Sequence, residues 1–213
     1  MNNLPTPPPF PQWLAWAREI QALSQIGDHY AANDFERDRY HRLTEIAAEI
    51  ISAHSHLEVN SLVEVYAAQC GYATPKVDVR AAAFRDGKLL LVRERSDGGW
   101  TMPGGWADVG DAPSISAERE TWEEAGFHVK ANALVGVYDA NRFNPLVLMH
   151  AYKLVFLCQV IDGEATPSNE TSEVAFFAED EIPTPLSDRR TPARIIQDAF
   201  KAFTHPGEPA VFD

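Results

Sequence analysis

The sequence predicts an α/β protein in which a mixed β-sheet is flanked by helices and preceded by a small all-α N-terminal domain. Three observations carry this reading. Apolar residues recur at helical spacing as far as about residue 70, they begin to alternate at about residue 76, and a glutamate-rich helix follows a Gly-Gly loop among the strands. The expected division is residues 1–75 for the helical domain and 76–213 for the mixed one.

Residues 5–11 are Pro-rich and read as a lead-in, with a polyproline ligand for some partner as the alternative. Trp13, Trp16, Ile20 and Leu23 then fall at i, i+3, i+7 and i+10, and Gly27 is the expected helix stop. A second helix opens with Asn33 as N-cap and Glu36 three residues on, and carries Leu43, Ile46, Ala47 and Ile50 on one stripe. A third is expected from about Asn60 to Gln69, presenting Leu62, Val65, Tyr66 and Gln69 and ending near Gly71. Three short helices in roughly 60 residues make a thin core. They should dock either on the mixed α/β domain or on a second copy of the chain; a helix-turn-helix for DNA is the rival.

In "ATPKVDVRAAAF", Val77, Val79 and Ala81 alternate with polar residues, and Asp86-Gly87 offers a hairpin turn into "KLLLVRER". "WTM", "ALVGVYD", "LVLMHAYKLVFLCQV" and "EVAFF" read as further strands, and Thr191-Pro192 opens a last helix with Ile195, Ile196 and Phe200 at helical spacing. Between these strands, Pro113 in the first turn and Gly126 as a left-handed cap bound a helix over 113–125. Its spacing puts Glu120, Glu123 and Glu124 on one face and Ala117, Thr121 and Ala125 on a small-residue face. Like charges so placed cost an isolated helix about 0.2–0.5 kcal/mol per pair. Arg119 pairs with Glu123 at i+4 but cannot balance three carboxylates, whereas a hard divalent cation with oxygen ligands would. A solvated acidic face is the plain alternative.

Composition narrows the function classes. No run of 18 apolar residues exists and the N-terminus lacks a basic or apolar leader, so a cytoplasmic protein without a membrane span is expected. Cys70 and Cys158 have no metal-ligand spacing and are expected as free, buried thiols. A formal net charge of −13 disfavours general nucleic-acid or membrane binding. An anionic substrate would need metal ions and local Arg or Lys to reverse that field.

Gly104 and Gly105, Asp108, Gly110 and Asp111, Arg119-Glu120, Glu123-Glu124, Gly126 and Phe127 form one string. It resembles the Nudix box, G-x5-E-x7-R-E-U-x-E-E-x-G-U, with Gly105 as its first glycine. Two positions depart from it: Asp111 is one methylene shorter than the family's Glu, and Thr121 replaces an aliphatic residue. The resemblance implies an α/β/α sandwich over about residues 76–205. "GYATPKVDVR", "FLCQVIDGE" and "ETSEVAFFAEDEIP" extend it to a subgroup with an N-terminal helical domain that takes part in dimerisation. That subgroup includes CDP-choline pyrophosphatases, and some relatives are labelled ADP-ribose pyrophosphatases.

What the resemblance implies is hydrolysis of a nucleoside diphosphate linked to a moiety X, using one to three Mg2+ or Mn2+ ions. By position in the box, Glu120 and Glu124 would be metal ligands, Glu123 a further ligand or a water-orienting group, the Gly104 carbonyl a backbone ligand, and Arg119 the residue holding the carboxylates. The general base is expected on the "SNETSEVAFF" loop at Glu170, with Glu173 and Glu123 as competitors. Tyr138, Arg142 and Phe143, with Asp139 beside them, and Trp106 are candidate substrate contacts, with packing or loop surface as the alternative for each. His150 reads as a core histidine. A CDP-alcohol such as CDP-choline is the favoured substrate and ADP-ribose the alternative, before other nucleoside diphosphate sugars and RNA ends. A non-catalytic nucleotide-sensing module is the rival class.

Overall fold

The computed structural model describes residues 10–143 and 148–213, and the chain forms two compact units, Met1–Pro75 with Pro145–His150, and Lys76–Asn144 with Ala151–Asp213. The expected start of a strand at "LVLMH" falls partly outside the described residues.

The first unit holds α1 (Gln12–Tyr30), α2 (Asp34–Ala53) and α3 (Val59–Ala67). The Asn33 side chain accepts the Glu36 N–H at 3.0 Å, and the Glu36 carboxylate accepts the Ala32 N–H at 2.9 Å, satisfying two donors at the start of α2. Leu14, Ala17, Ala48, Ile51, Leu62 and Tyr66 make the core, with Trp13 half-buried against it and stacked on His54 at 4.5 Å. Gly27 does not end α1. A Cβ there would strike the Tyr40 ring, so the glycine serves close packing of α1 on α2 within the helix. The expected aromatic stripe also divides: Trp13 turns to the core, while Trp16, Leu23 and Tyr30, one every seven residues, are 57%, 59% and 69% exposed. Cys70, just beyond α3, is exposed and not buried as expected; only Cys158 is enclosed.

In the second unit β1 (Lys76–Arg85) turns through Asp86 and Gly87, both at positive φ, into β2 (Lys88–Glu94), followed by β3 (Trp100–Thr101). The glutamate-rich α4 (Pro113–Ala125) leads into β4 (Phe127–Asp139), and β5 (Ala151–Gly163), β6 (Thr171–Phe177), α5 (Ala193–Thr204) and β7 (Val211–Phe212) complete the unit. The sheet runs β3-β2-β1-β5-β4-β7, with β6 also paired to β2; β1 lies parallel to β5, and most other pairs are antiparallel. Alternate residues of β1 serve two cores. Ala82 and Phe84 pack with Ile195, Ile196 and Phe200 of α5, whereas Val79, Ala81 and Ala83 pack with Ala117 and Ala125 of α4. Burial on both faces makes this a sheet between helix layers. Gly126 closes α4 in the left-handed conformation at φ 74°, and Thr121 is enclosed with its hydroxyl donated to the Ala117 carbonyl at 2.7 Å, which explains how a polar residue replaces an aliphatic one there.

Candidate functional site

The glycine loop is laid along β1 like an extra strand. Ala81 N–H donates to the Pro103 carbonyl at 3.0 Å, Val79 N–H to Gly105 at 2.8 Å, and Ala107 N–H to Val77 at 2.9 Å. Gly104 sits at φ +142°, and a Cβ there would overlap the Val79 carbonyl oxygen. A Cβ on Gly105 would come within 3.1 Å of Glu120 Oε2. The two glycines thus let the backbone reach two α4 carboxylates: Gly104 N–H donates to Glu124 Oε2 at 2.9 Å, and Glu120 lies over Gly105.

Glu124 is only 7% exposed. Burial raises its pKa to about 7; the Gly104 N–H and Arg80 oppose the shift, and the neighbouring carboxylates Glu94 and Glu120 add to it. Burial also raises the Glu120 carboxyl, against the pull of Arg119. Arg119 is the surface brace, 2.8 Å from Asp108, 3.0 Å from Glu123, 3.1 Å from Glu120 and 3.5 Å from Asp111. Asp111, despite its short side chain, therefore reaches the brace. Glu123 faces outward, its side chain 53% exposed, so the three glutamates share one side of the helix at very different depths.

Among the described residues no three His, Cys, Asp or Glu side chains are already gathered as a metal cluster. The donor set nonetheless fits a divalent cation. Two partly desolvated carboxylates lie against the glycine loop, Glu124 on the Gly104 N–H and Glu120 over Gly105, and Glu124 lacks a direct cationic partner among its described contacts.

The other expected site residues are placed as follows. Glu170 is exposed on the loop before β6, and its carbonyl accepts the Arg95 N–H at 2.8 Å. Its competitor Glu173 is tied to Arg93 at 2.7 Å. Tyr138 is enclosed and donates its hydroxyl to Asp198 at 3.1 Å, so its ring packs the core and has no open face. Phe143 is half-buried against the same core, and Arg142 is exposed on a short 3-10 turn, Ala140–Arg142. Trp106 bridges to Asp78 through the backbone and is 44% exposed.

Sequence reading missed the charged layer beneath the loop. Asp78 and Arg80, read as the polar side of an alternating strand, are both buried; Arg80 grips Asp78 through two nitrogens at 3.0 and 2.8 Å and donates to the Met102 carbonyl at 3.2 Å. Lys153 of β5, across the parallel register from Asp78, donates to the same carboxylate at 3.1 Å, and burial lowers its pKa to about 8 against that attraction. The available signal was three charges set into otherwise apolar strand segments.

Two family models match. One, described as the NUDIX domain, covers residues 74–199; the other, described as a UDP-X-like, N-terminal oligomerisation domain, covers residues 11–66. The putative ADP-ribose pyrophosphatase YjhB of Bacillus subtilis (strain 168) is 34% identical, over 95% of this chain and 97% of its own. Among solved structures, a UDP-X diphosphatase is 30% identical with a TM-score of 0.60, over 94% of this chain and 97% of that one. An ADP-ribose pyrophosphatase from Streptococcus suis 89-1591 is 36% identical with a TM-score of 0.60, over 66% of this chain and all of that one. Among the described residues no helix is long and apolar enough to cross a membrane.

Proposed function

The chain belongs to the Nudix family and is a Nudix hydrolase, and from that premise we propose that it cleaves the diphosphate bridge of a nucleoside diphosphate linked to X. Water attacks one phosphorus of the bridge, the P–O bond to the bridging oxygen breaks, and a nucleoside monophosphate and phospho-X leave. The observation that carries this reading is Glu124, a buried carboxylate held by a glycine-loop N–H beside Glu120. Mg2+ or Mn2+, bound by Glu120, Glu124 and the Gly104 carbonyl, would neutralise phosphate charge and lower the pKa of water there. Arg119 holds Glu120 and Glu123 in place, and Glu123 serves as an outer ligand or water-orienting group. Glu170 takes the water's proton, a role supported by its exposure and by the ion pair that occupies its competitor Glu173. Arg142 and Trp106, both exposed, are the favoured substrate contacts; Phe143 is half-buried and Tyr138 belongs to the core.

ADP-ribose and UDP-linked compounds lead as substrates, because relatives spanning nearly the whole chain carry those names. CDP-alcohols such as CDP-choline follow. Specificity constants for ADP-ribose, a UDP-sugar and CDP-choline with Mg2+ should rank in that order or with the first two exchanged; a CDP-choline preference of tenfold or more would reverse the ranking.

We further propose that the N-terminal unit makes a homodimer, with Trp16, Leu23 and Tyr30 as its contact stripe. The reading is supported by their exposure and by the oligomerisation description of the matching model. Light scattering should give twice the chain mass for the wild type and the single mass for Trp16→Glu/Leu23→Glu. A monomeric wild type at tens of micromolar would refute the dimer.

A further inference from the structure

Glu94, the last residue of β2, belongs to none of the roles above, yet it is only 4% exposed. It stands opposite Thr171 on β6, at a break in register between Arg93 and Glu94. Such an irregularity at a sheet rim re-aims a side chain. Thr171 in turn donates its hydroxyl to the Glu124 carbonyl at 2.8 Å, so Glu94 and Glu124 flank one residue. Glu124 feels the charge of Glu94, and Glu94 feels those of Asp97 and Glu170.

Arg190 is its nearest cation, at 3.1 Å. That guanidinium is shared, lying 3.2 Å from Asp97 and donating to the hydroxyls of Ser187 at 3.2 Å and Ser96 at 3.3 Å. Arg80, the other nearby cation, is committed to Asp78 by two hydrogen bonds. A desolvated carboxylate beside a second one, served by a divided cation, lacks positive charge. A divalent ion between Glu94 and Glu124 would supply it.

We propose that Glu94 is an additional carboxylate ligand of the divalent-cation site, and that Arg190 is the side chain that holds it when the cation is absent. The inference rests on the hydrolase reading above, so its test is metal binding without substrate. Mn2+ titration of the full-length protein, followed by electron paramagnetic resonance, should show affinity at least tenfold weaker for both Glu94→Gln and Glu94→Asp. The first removes the charge but can still accept from Arg190; the second keeps the charge and withdraws it by one methylene. Arg190→Gln should leave a protein whose melting temperature rises more with Mn2+ than the wild type's does. Wild-type affinity in Glu94→Gln would overturn the proposal. So would wild-type affinity in Glu94→Asp, because the carboxylate would then act only through its field. If Glu94→Gln fails to fold, an Arg190→Gln protein with no added Mn2+ response overturns it instead. A wild type that binds no Mn2+ would sink the metal-dependent reading as well, which separates the two failures.

Discussion

Glu124→Gln is expected to lose turnover by at least about a hundredfold, the order found when one charge-stabilising group is removed from an active site, and yet to make the metal-free protein more stable at pH 8. The two effects share one cause. Burial holds the folded-state pKa of Glu124 near 7, above its ordinary value of 4.5. A raised carboxyl pKa means that the folded state binds the proton more tightly, so this stability is complete below about pH 4.5 and is lost as the pH rises toward and through 7. Above that, the folded protein carries a desolvated charge that Gln does not have. The pKa difference corresponds to roughly 3 kcal/mol. Gln keeps an oxygen for the Gly104 N–H, so the site is not left with an orphaned donor. Urea unfolding in chelator should therefore show wild type and variant alike at pH 4 and the variant ahead by a few kcal/mol at pH 8. Equal stability at both values would mean that Glu124 is not charged at that cost, and near-normal turnover would overturn its assignment as a metal ligand.

Gly104→Ala should be the most damaging single methyl in the second unit. The new carbon would overlap the Val79 carbonyl oxygen, and φ +142° is a conformation alanine resists. Strain and overpacking together cost about 2–5 kcal/mol. Relief requires the loop to lift from β1, which moves both the Gly104 carbonyl and the N–H that holds Glu124. Gly110→Ala is the control, since Gly110 also has positive φ, at +105°, but opens on empty space. Urea midpoints should fall much further for Gly104→Ala than for Gly110→Ala. Equal falls would show that close approach to β1 is not what position 104 requires.

These two residues mark how far the sequence could be read. The limits of α4, its left-handed cap and the Asp86-Gly87 hairpin depend on interactions within a few residues, so local chemistry suffices to place them. Helical spacing likewise put Glu120, Glu123 and Glu124 on one side, but spacing says nothing of depth. Glu124 lies under the loop because Gly104 meets it there, and Glu123 stays in solvent beside Arg119. Gly27 looked like a stop because glycine usually is one, and only the Tyr40 ring on another helix reveals its purpose. Asp78 and Arg80 mislead for the same reason. Alternation marks them as solvent-facing, whereas a partner 75 positions away, Lys153, meets Asp78 inside. Non-local pairing of this kind leaves no period in the sequence.

Metal-dependent hydrolysis of a diphosphate bridge can be followed by phosphorus NMR of ADP-ribose, a UDP-sugar and CDP-choline with the full-length protein, first in chelator and then with Mg2+ or Mn2+. The expected result is that the diphosphate resonances of at least one substrate persist in chelator and are replaced, once metal is added, by two phosphomonoester resonances in equal amounts. Diphosphate resonances that survive either metal with all three substrates, or that vanish equally fast in chelator, would contradict it.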